Sequence, residues 1–368
     1  MTSASFSVTD YAQQNSVFAV AFDIVQQAIQ EHAFPAAALA VTSATGLVAL
    51  KGFGSFTYDP ASSPLSAESI FDLASVSKVI ATTAMAMVLY ERGVLDLDTP
   101  LSSIVPEFAG DDPRRNQVTL RLLLAHSSGL PAYEKLFLRC GDRAELLREA
   151  FATPLSADPG THAIYSDIGF ILLGIALERL ADEPLNQFCQ REVFGPLGMA
   201  HTTFNPAAAL RTSIVPTADD QTFRHRVIQG EVQDENASVM GGVAGHAGVF
   251  ATAEDVARFA QCMLHGGLPI VRPQTIARFI RRESTPPGSS RALGWDTPSP
   301  PSQSGRYFST SSFGHLGYSG TSLWIDPERQ VSITFLTNRT WPDCRNQLIK
   351  QIRPRVHDAV MEALEPVR

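Results

Sequence analysis

The 368-residue chain predicts an α/β (α+β) fold: an antiparallel sheet flanked by helices, with a mainly helical segment inserted into it. Two observations lead there. Hairpin patterns stand near both ends of the chain, and a long stretch of helix and turn signals lies between them. The simplest packing joins the ends into one discontinuous α/β domain, residues 1–95 and 240–368, and makes residues 96–239 a mainly helical inserted domain. A ligand site is expected in the cleft between them.

In chain order, residues 17–32 have the period of an amphipathic helix. Ala37–Val41 and Leu47–Lys51 flank Ser43-Ala44-Thr45-Gly46 as a hairpin. The run from Ser75 to Leu89 is apolar on all sides, which predicts a helix buried in the domain centre, with Gly93 placed to cap its end. Asp142-Arg143-Ala144-Glu145 resembles a capping box, and Ile168–Leu180 is strongly apolar. Thr252-Ala253-Glu254-Asp255 is a second capping box. It precedes Val256, Phe259, Ala260, Met263 and Leu264 at helical spacing, and Gly266 stops that helix. Residues 284–305, rich in Pro, Ser and Gly, read as an irregular surface loop. Thr321–Ile325 and Val331–Thr337 flank Asp326-Pro327-Glu328-Arg329 as a second hairpin. Cys344–Leu364 reads as helix interrupted at Pro354.

Composition narrows the function. Hydrophobic content of 44% and charged content of 18% are those of an ordinary enzyme with a sizeable core. A net charge of −8, with only the doublets Arg114-Arg115 and Arg281-Arg282 to set against it, argues against nucleic acid. Cys140, Cys189, Cys262 and Cys344 match no zinc or redox spacing, and the nine histidines form no ligand pair, so neither a metal nor another cofactor is expected. Met1–Gln30 lacks the basic head and apolar segment of a signal peptide, and no run is long enough to span a membrane. The expectation is a cytoplasmic protein, or an exported one if a signal has been removed.

Only four of the 29 basic residues are lysines, and Lys78 stands where a solvated charge is least expected. It follows Ser75 by one helical turn at the head of the apolar run, so the two share a face. Burial disfavours a charged amine and lowers its pKa, and a neutral amine can take a serine's proton. Alone, S-x-x-K is a loose pattern, and a snorkelling lysine beside an N-cap serine would produce it too. Two further motifs change the balance: Tyr165-Ser166-Asp167 after the turn Pro159-Gly160, and His315-Leu316-Gly317 ahead of the second hairpin.

Together the three motifs resemble the S-x-x-K, Y-x-N and K-T-G or H-x-G signatures of serine β-lactamases and penicillin-binding proteins. The class C branch, with its D-Ala-D-Ala peptidases and family VIII carboxylesterases, is most similar. Phe71-Asp72-Leu73-Ala74, Leu122 to Pro131, Pro196 to Met199, Gly241 to Gly248 and Gly320 to Pro327 extend the likeness toward penicillin-binding-protein 4B-like serine hydrolases. The resemblance implies a serine β-lactamase-like fold and a small acyl substrate. It implies Ser75 as nucleophile, Lys78 as its activator and Tyr165 as proton shuttle. The N–H groups of Ser75 and Tyr318 would form an oxyanion hole, such donors contributing about 3 kcal/mol each. Asp167, His315, Gly317 and Tyr318 would line the substrate. Esterase, D-amino-acid peptidase and β-lactamase activities all stay open, because the shared machinery does not choose among them.

Other readings stand beside these. Asp167 fits an N-cap of the helix at Ile168 as well as a substrate contact. His315 is expected to offer positive charge below neutral pH, and His246, in a glycine-rich turn, reads as structural. Ala125-His126-Ser127-Ser128-Gly129 resembles a degenerate nucleophile elbow after a strand-like Val118–Leu124, which would make the chain an α/β-hydrolase using Ser127. A non-catalytic binding protein of the same fold is the alternative from another class. Asp167 replaces the family's Asn, and Leu316 its Thr. Both changes weaken recognition of an anion and predict a preference for neutral esters or amides over carboxylated β-lactams.

Overall fold

The computed structural model describes residues 11–364, so the reading of Met1–Gln30 falls partly outside the described residues. Five strands form the main sheet: β1 (Ala36–Ser43), β2 (Gly46–Gly54), β3 (Phe313–Leu316), β4 (Ser322–Asp326) and β5 (Val331–Thr337). Their order is β2-β1-β5-β4-β3, and every pair is antiparallel. β1 sits beside β5, with Ala37 opposite Thr337 and Val41 opposite Ile333, so the two ends of the chain share one sheet.

Strand alternation sends successive side chains to opposite faces. Leu39, Val41, Ile333 and Phe335 pack on the outer face with Phe22 and Val25 of α1 (Ala19–Gln30) and Val356 of the C-terminal helix. Ala36, Ala38 and Ala40 point to the inner face, where their small side chains admit the helix Ala253–Leu264. The inner core continues without a break into α2 (Ala84–Glu91) and α3 (Asp167–Ala181). Two capping residues act as their spacing predicts: Asp142 accepts from Glu145 N–H (2.9 Å) and Thr252 from Asp255 N–H (3.2 Å).

Three local expectations give way. Val118–Leu124 is not a strand: Leu120–Leu124 is helical, and Thr119 caps it by accepting from Leu122 N–H (3.3 Å). The C-terminal helix α4 (Ile349–Leu364) runs through Pro354 unbroken. Proline removes the N–H that would reach the Lys350 carbonyl, and Gln303 Nε2 donates to that carbonyl instead (3.1 Å). The segment after Ser75 is not one regular helix. A 3₁₀ turn at Ala74–Val76 leads into a π-wound stretch, Lys78–Thr83, before α2 begins. Such windings are frequent at functional sites. Among the described residues no helix is long and apolar enough to cross a membrane.

Candidate active site

Ser75 stands at the end of a tightly held approach. Phe71–Asp72 pairs with Val249–Ala251, and Leu73 N–H continues that pairing to the Val249 carbonyl (2.9 Å). Ala74 then takes a positive φ of 47°, costly for a residue with a β-carbon. It is held there by a hydrogen bond from Ala74 N–H to the Asp72 carboxylate (2.8 Å). The other Asp72 oxygen accepts from Gln233 N–H (2.7 Å), and complete burial raises the Asp72 pKa to about 6.

Lys78 is fully buried, behind Ser75. Its ammonium donates three hydrogen bonds: to Ser75 Oγ (2.9 Å), to Asp167 Oδ1 (2.6 Å) and to the His246 carbonyl (2.9 Å). It also lies 4.9 Å from the Tyr165 ring centre. The expected neutral amine is not found. Burial by itself would lower the Lys78 pKa, but the Asp167 carboxylate, with help from Tyr165, outweighs it and holds the pKa above its ordinary value. Asp167 is not the helix cap. Ser166 is, accepting from Gly169 N–H (2.9 Å), which leaves the Asp167 carboxylate at the first turn free to reach Lys78.

Tyr165 is half-buried with its hydroxyl shielded from solvent, and that hydroxyl has no hydrogen-bond partner of normal geometry among the described residues. Burial, reinforced by the Asp167 charge, keeps it a phenol against the pull of Lys78. The His126 ring packs on it with centroids 4.5 Å apart, and His126 Nδ1 accepts from Ser166 N–H (3.0 Å). On the other side the His315 ring centre is 5.8 Å away. His315 does not supply charge below neutral pH as expected. Burial, then the cations Lys78 and Arg291, push its pKa well below the usual histidine range. Its Nδ1–H donates to the Leu316 carbonyl (2.8 Å), so its Nε2, buried and unpartnered, is an acceptor.

The turn after His315 is bolted to the approach of Ser75. Thr321 Oγ1 donates to the Leu73 carbonyl and Ser319 Oγ to the Asp72 carbonyl, both at 2.9 Å. A β-carbon on Gly317 would collide with Thr321 and lie 2.6 Å from the Leu73 carbonyl oxygen, so this close approach requires glycine. Arg339 Nε donates to the Tyr318 carbonyl (2.7 Å) and fixes that peptide.

A cleft of about 740 Å³ opens over these groups, lined by Ser75, Tyr165, Asp167, His315, Gly317 and Tyr318. Every candidate residue therefore lies on its wall except Lys78, which sits behind it. Ser127 is buried and absent from the wall, and an antiparallel sheet is not the scaffold of an α/β-hydrolase. His246 does more than hold a turn: besides its carbonyl on Lys78, its Nε2 pairs with Asp234 (2.8 Å). Asp234, Arg291, Arg339 and Arg353 were not singled out from sequence. Asp234 follows no motif. The buried Arg339 and Arg353 look in sequence like surface residues; burial and then the Arg339 charge lower the Arg353 pKa to about 9. Arg291 belongs to the Pro/Ser/Gly-rich loop, a segment whose residues only the folded chain can place.

Comparison with known proteins agrees with this geometry. The β-lactamase family profile matches residues 21–354. A protein from Escherichia coli (strain K12) named as a putative D-alanyl-D-alanine carboxypeptidase is 32% identical over 301 residues, covering 73% of this chain and 69% of that one. EstCE1, described as a hydrolase with promiscuous acyltransferase activity, has a similar structure: TM-score 0.77, 22% identity, 95% of this chain and 100% of that one. A β-lactamase from Mycobacterium bovis superposes with a TM-score of 0.61 at 25% identity, over 92% of this chain and 98% of that one.

Proposed function

Because the chain belongs to the β-lactamase family and is a serine hydrolase of that kind, we propose that it cleaves small ester or amide bonds through an acyl-enzyme on Ser75. One observation supports this above the rest: Ser75 Oγ accepts a hydrogen bond from a buried lysine while facing a cleft also lined by Tyr165. Ser75 attacks the substrate carbonyl carbon, and the carbonyl oxygen takes the electron pair toward the N–H groups of Ser75 and Tyr318. No hydrogen bond within the described residues claims either N–H. Tyr165 protonates the leaving group, and once it is again a phenol it shuttles in the second half-reaction, taking a proton from the attacking water while passing its own to Ser75 Oγ, which releases the acyl group as an acid. The division into an α/β domain, residues 1–95 and 240–368, and an inserted helical one, residues 96–239, is part of this reading. Ser75 and His315 come from the first and Tyr165 and Asp167 from the second, which supports catalysis at their junction.

A second reading, carboxypeptidase action on a D-Ala-D-Ala-type peptide, is favoured by the cations of the cleft. Arg291, Arg339, Arg353 and Lys350 line it. The charge of Asp167, which argued against an anionic substrate, is taken up by Lys78. The test uses the protein and its Ser75→Ala variant with p-nitrophenyl butyrate, nitrocefin and a D-Ala-D-Ala peptide, plus intact mass after a fluorophosphonate. Turnover and a mass adduct that both vanish in Ser75→Ala are expected. Turnover that survives Ser75→Ala overturns the assignment, and binding without any adduct favours a non-catalytic role. Among substrates, turnover of the peptide but not the butyrate ester selects the second reading.

A further inference from the structure

We propose that Asp167 is the terminal proton acceptor of a Ser75–Lys78–Asp167 relay, so that Lys78 conducts the serine proton rather than keeping it. The inference rests on Ser75 being the nucleophile, and it changes the base. An ammonium has three protons and no lone pair. All three Lys78 protons are engaged, by Ser75 Oγ, Asp167 Oδ1 and the His246 carbonyl. Lys78 in this state cannot receive a proton from Ser75 until it has given one away. Of its three partners, the serine hydroxyl and the peptide carbonyl are poor proton acceptors, and the carboxylate at 2.6 Å is a good one. An asparagine at position 167 could not do this.

The step balances as follows. Asp167 Oδ1 takes a proton from Lys78 Nζ and becomes a neutral carboxylic acid. Lys78 Nζ, now bearing a lone pair, takes the Ser75 hydroxyl proton. The Ser75 Oγ–carbon bond forms and the substrate carbonyl electrons move to oxygen. Lys78 ends as an ammonium, as it began. On collapse, the leaving group takes the Tyr165 hydroxyl proton, Tyr165 recovers one from Lys78, and Lys78 recovers its own from Asp167. Tyr165 does not serve as the base in the resting site, because burial and the Asp167 charge keep it protonated. The arrangement has the logic of a Ser-His-Asp triad, except that here the acid accepts the proton outright.

Lys78, Tyr165 and Tyr133 feel the Asp167 charge directly, Asp234, Glu235, His246, His315 and Arg291 line the same cleft, and Asp72 holds the approach to Ser75. His315 is held neutral and Tyr133 is raised well above the usual tyrosine range, so neither adds an ionisation between pH 4 and 7. Burial raises the Glu235 pKa and takes that of Asp72 to about 6, so these two carboxyls can titrate there and need their own controls.

The experiment measures single-turnover acylation and kcat/KM for p-nitrophenyl butyrate from pH 4 to 10, in the native protein, Asp167→Asn, Asp167→Glu, Glu235→Gln, Asp72→Asn and Ser75→Ala. For Asp167→Asn the expected results are an acylation rate at least about 100-fold lower near neutral pH, KM little changed, and the carboxylate limb on the acid side replaced by a rise at alkaline pH as Lys78 loses its own proton. Asp167→Glu should recover much of the rate and keep an acid limb. An acid limb that survives in Asp167→Asn but moves in Glu235→Gln or Asp72→Asn overturns the proposal, as does an Asp167→Asn protein that acylates at the native rate. If Asp167→Asn does not fold, Asp167→Glu decides: a limb displaced with the new carboxyl supports the relay, and one that has not moved overturns it. Activity persisting in Ser75→Ala would overturn the nucleophile assignment itself, an outcome separate from every result at position 167.

Discussion

Tyr165 lies between the His126 and His315 rings, both held neutral, and its hydroxyl has no hydrogen-bond partner of normal geometry among the described residues. A donor so placed serves whichever atom the substrate brings. Its contribution should therefore depend on how much the leaving group needs a proton. Tyr165→Phe is expected to lower kcat/KM for an amide or alkyl ester by 10²–10⁴-fold but that for a p-nitrophenyl ester far less, because p-nitrophenolate departs unprotonated. Parallel kinetics on the two substrates check this, and equal losses would remove Tyr165 from the leaving-group side. At this scale the sequence was informative about identity and poor about state. Ser75 and Lys78 were paired by one-turn spacing and Tyr165 came with the family resemblance, and the structure brings the three together at the cleft. The charge on Lys78 could not, because it depends on Asp167, 89 positions away. Nor could the neutrality of His315, which follows from burial and from Arg291 in a loop without pattern.

Helix α3 and the glycine-rich stretch Gly241–Gly248 meet at backbone contact. A β-carbon on Gly174 would lie 2.9 Å from Gly245 Cα, and one on Gly245 would collide with the Phe170 carbonyl. This closeness, secured by Thr82 Oγ1 donating to the Gly245 carbonyl (2.6 Å), presents the next carbonyl, that of His246, to Lys78. Gly174→Ala is expected to cost about 1–3 kcal/mol and to reduce the acylation rate by moving that acceptor. Urea denaturation and single-turnover labelling measure the two effects. At α4, Gln303→Ala should cost about 1 kcal/mol, since it strips the Lys350 carbonyl of the donor that replaces the proline N–H. Apolar periodicity made α1, α3 and the hairpins readable. The passage of α4 through Pro354 was not, because the compensating donor lies some fifty residues away in a loop.

Across the whole molecule, charge is managed by burying neutral imidazoles. His126, His315 and His357 all titrate well below the ordinary histidine range, His357 near pH 3, chiefly because of burial. A group whose folded pKa lies below its unfolded one contributes stability that is present above the unfolded value, near 6.5, and is lost as pH falls toward the folded value. Each such histidine should remove about 1.4 kcal/mol per pH unit below about pH 6. The raised carboxyls Asp72, Glu235 and Asp255 bind protons in the folded state over the same range and offset part of this, so stability should fall between pH 6 and pH 4 by less than the three histidines alone would give. His357→Gln should make that slope shallower by about one proton, as read from chemical denaturation midpoints across the range. The joining of the chain ends into one sheet was legible from two hairpin signals placed far apart. The polarity of the cleft was not, because its cations come from segments that share no pattern.

That joining also orders events in time. β1 takes its place between β2 and β5, and β5 is completed only at residue 337. Until then the β1–β2 hairpin has a bare edge, and of the two helices that share its outer face α1 is already made while α4 is the last helix described. A ribosome must translate as far as residue 337 before the open edge of that hairpin can be paired. Between residues 54 and 337 the growing chain thus carries an adhesive edge, and its yield in a cell should depend more on chaperone supply and elongation rate than on the stability of the folded protein.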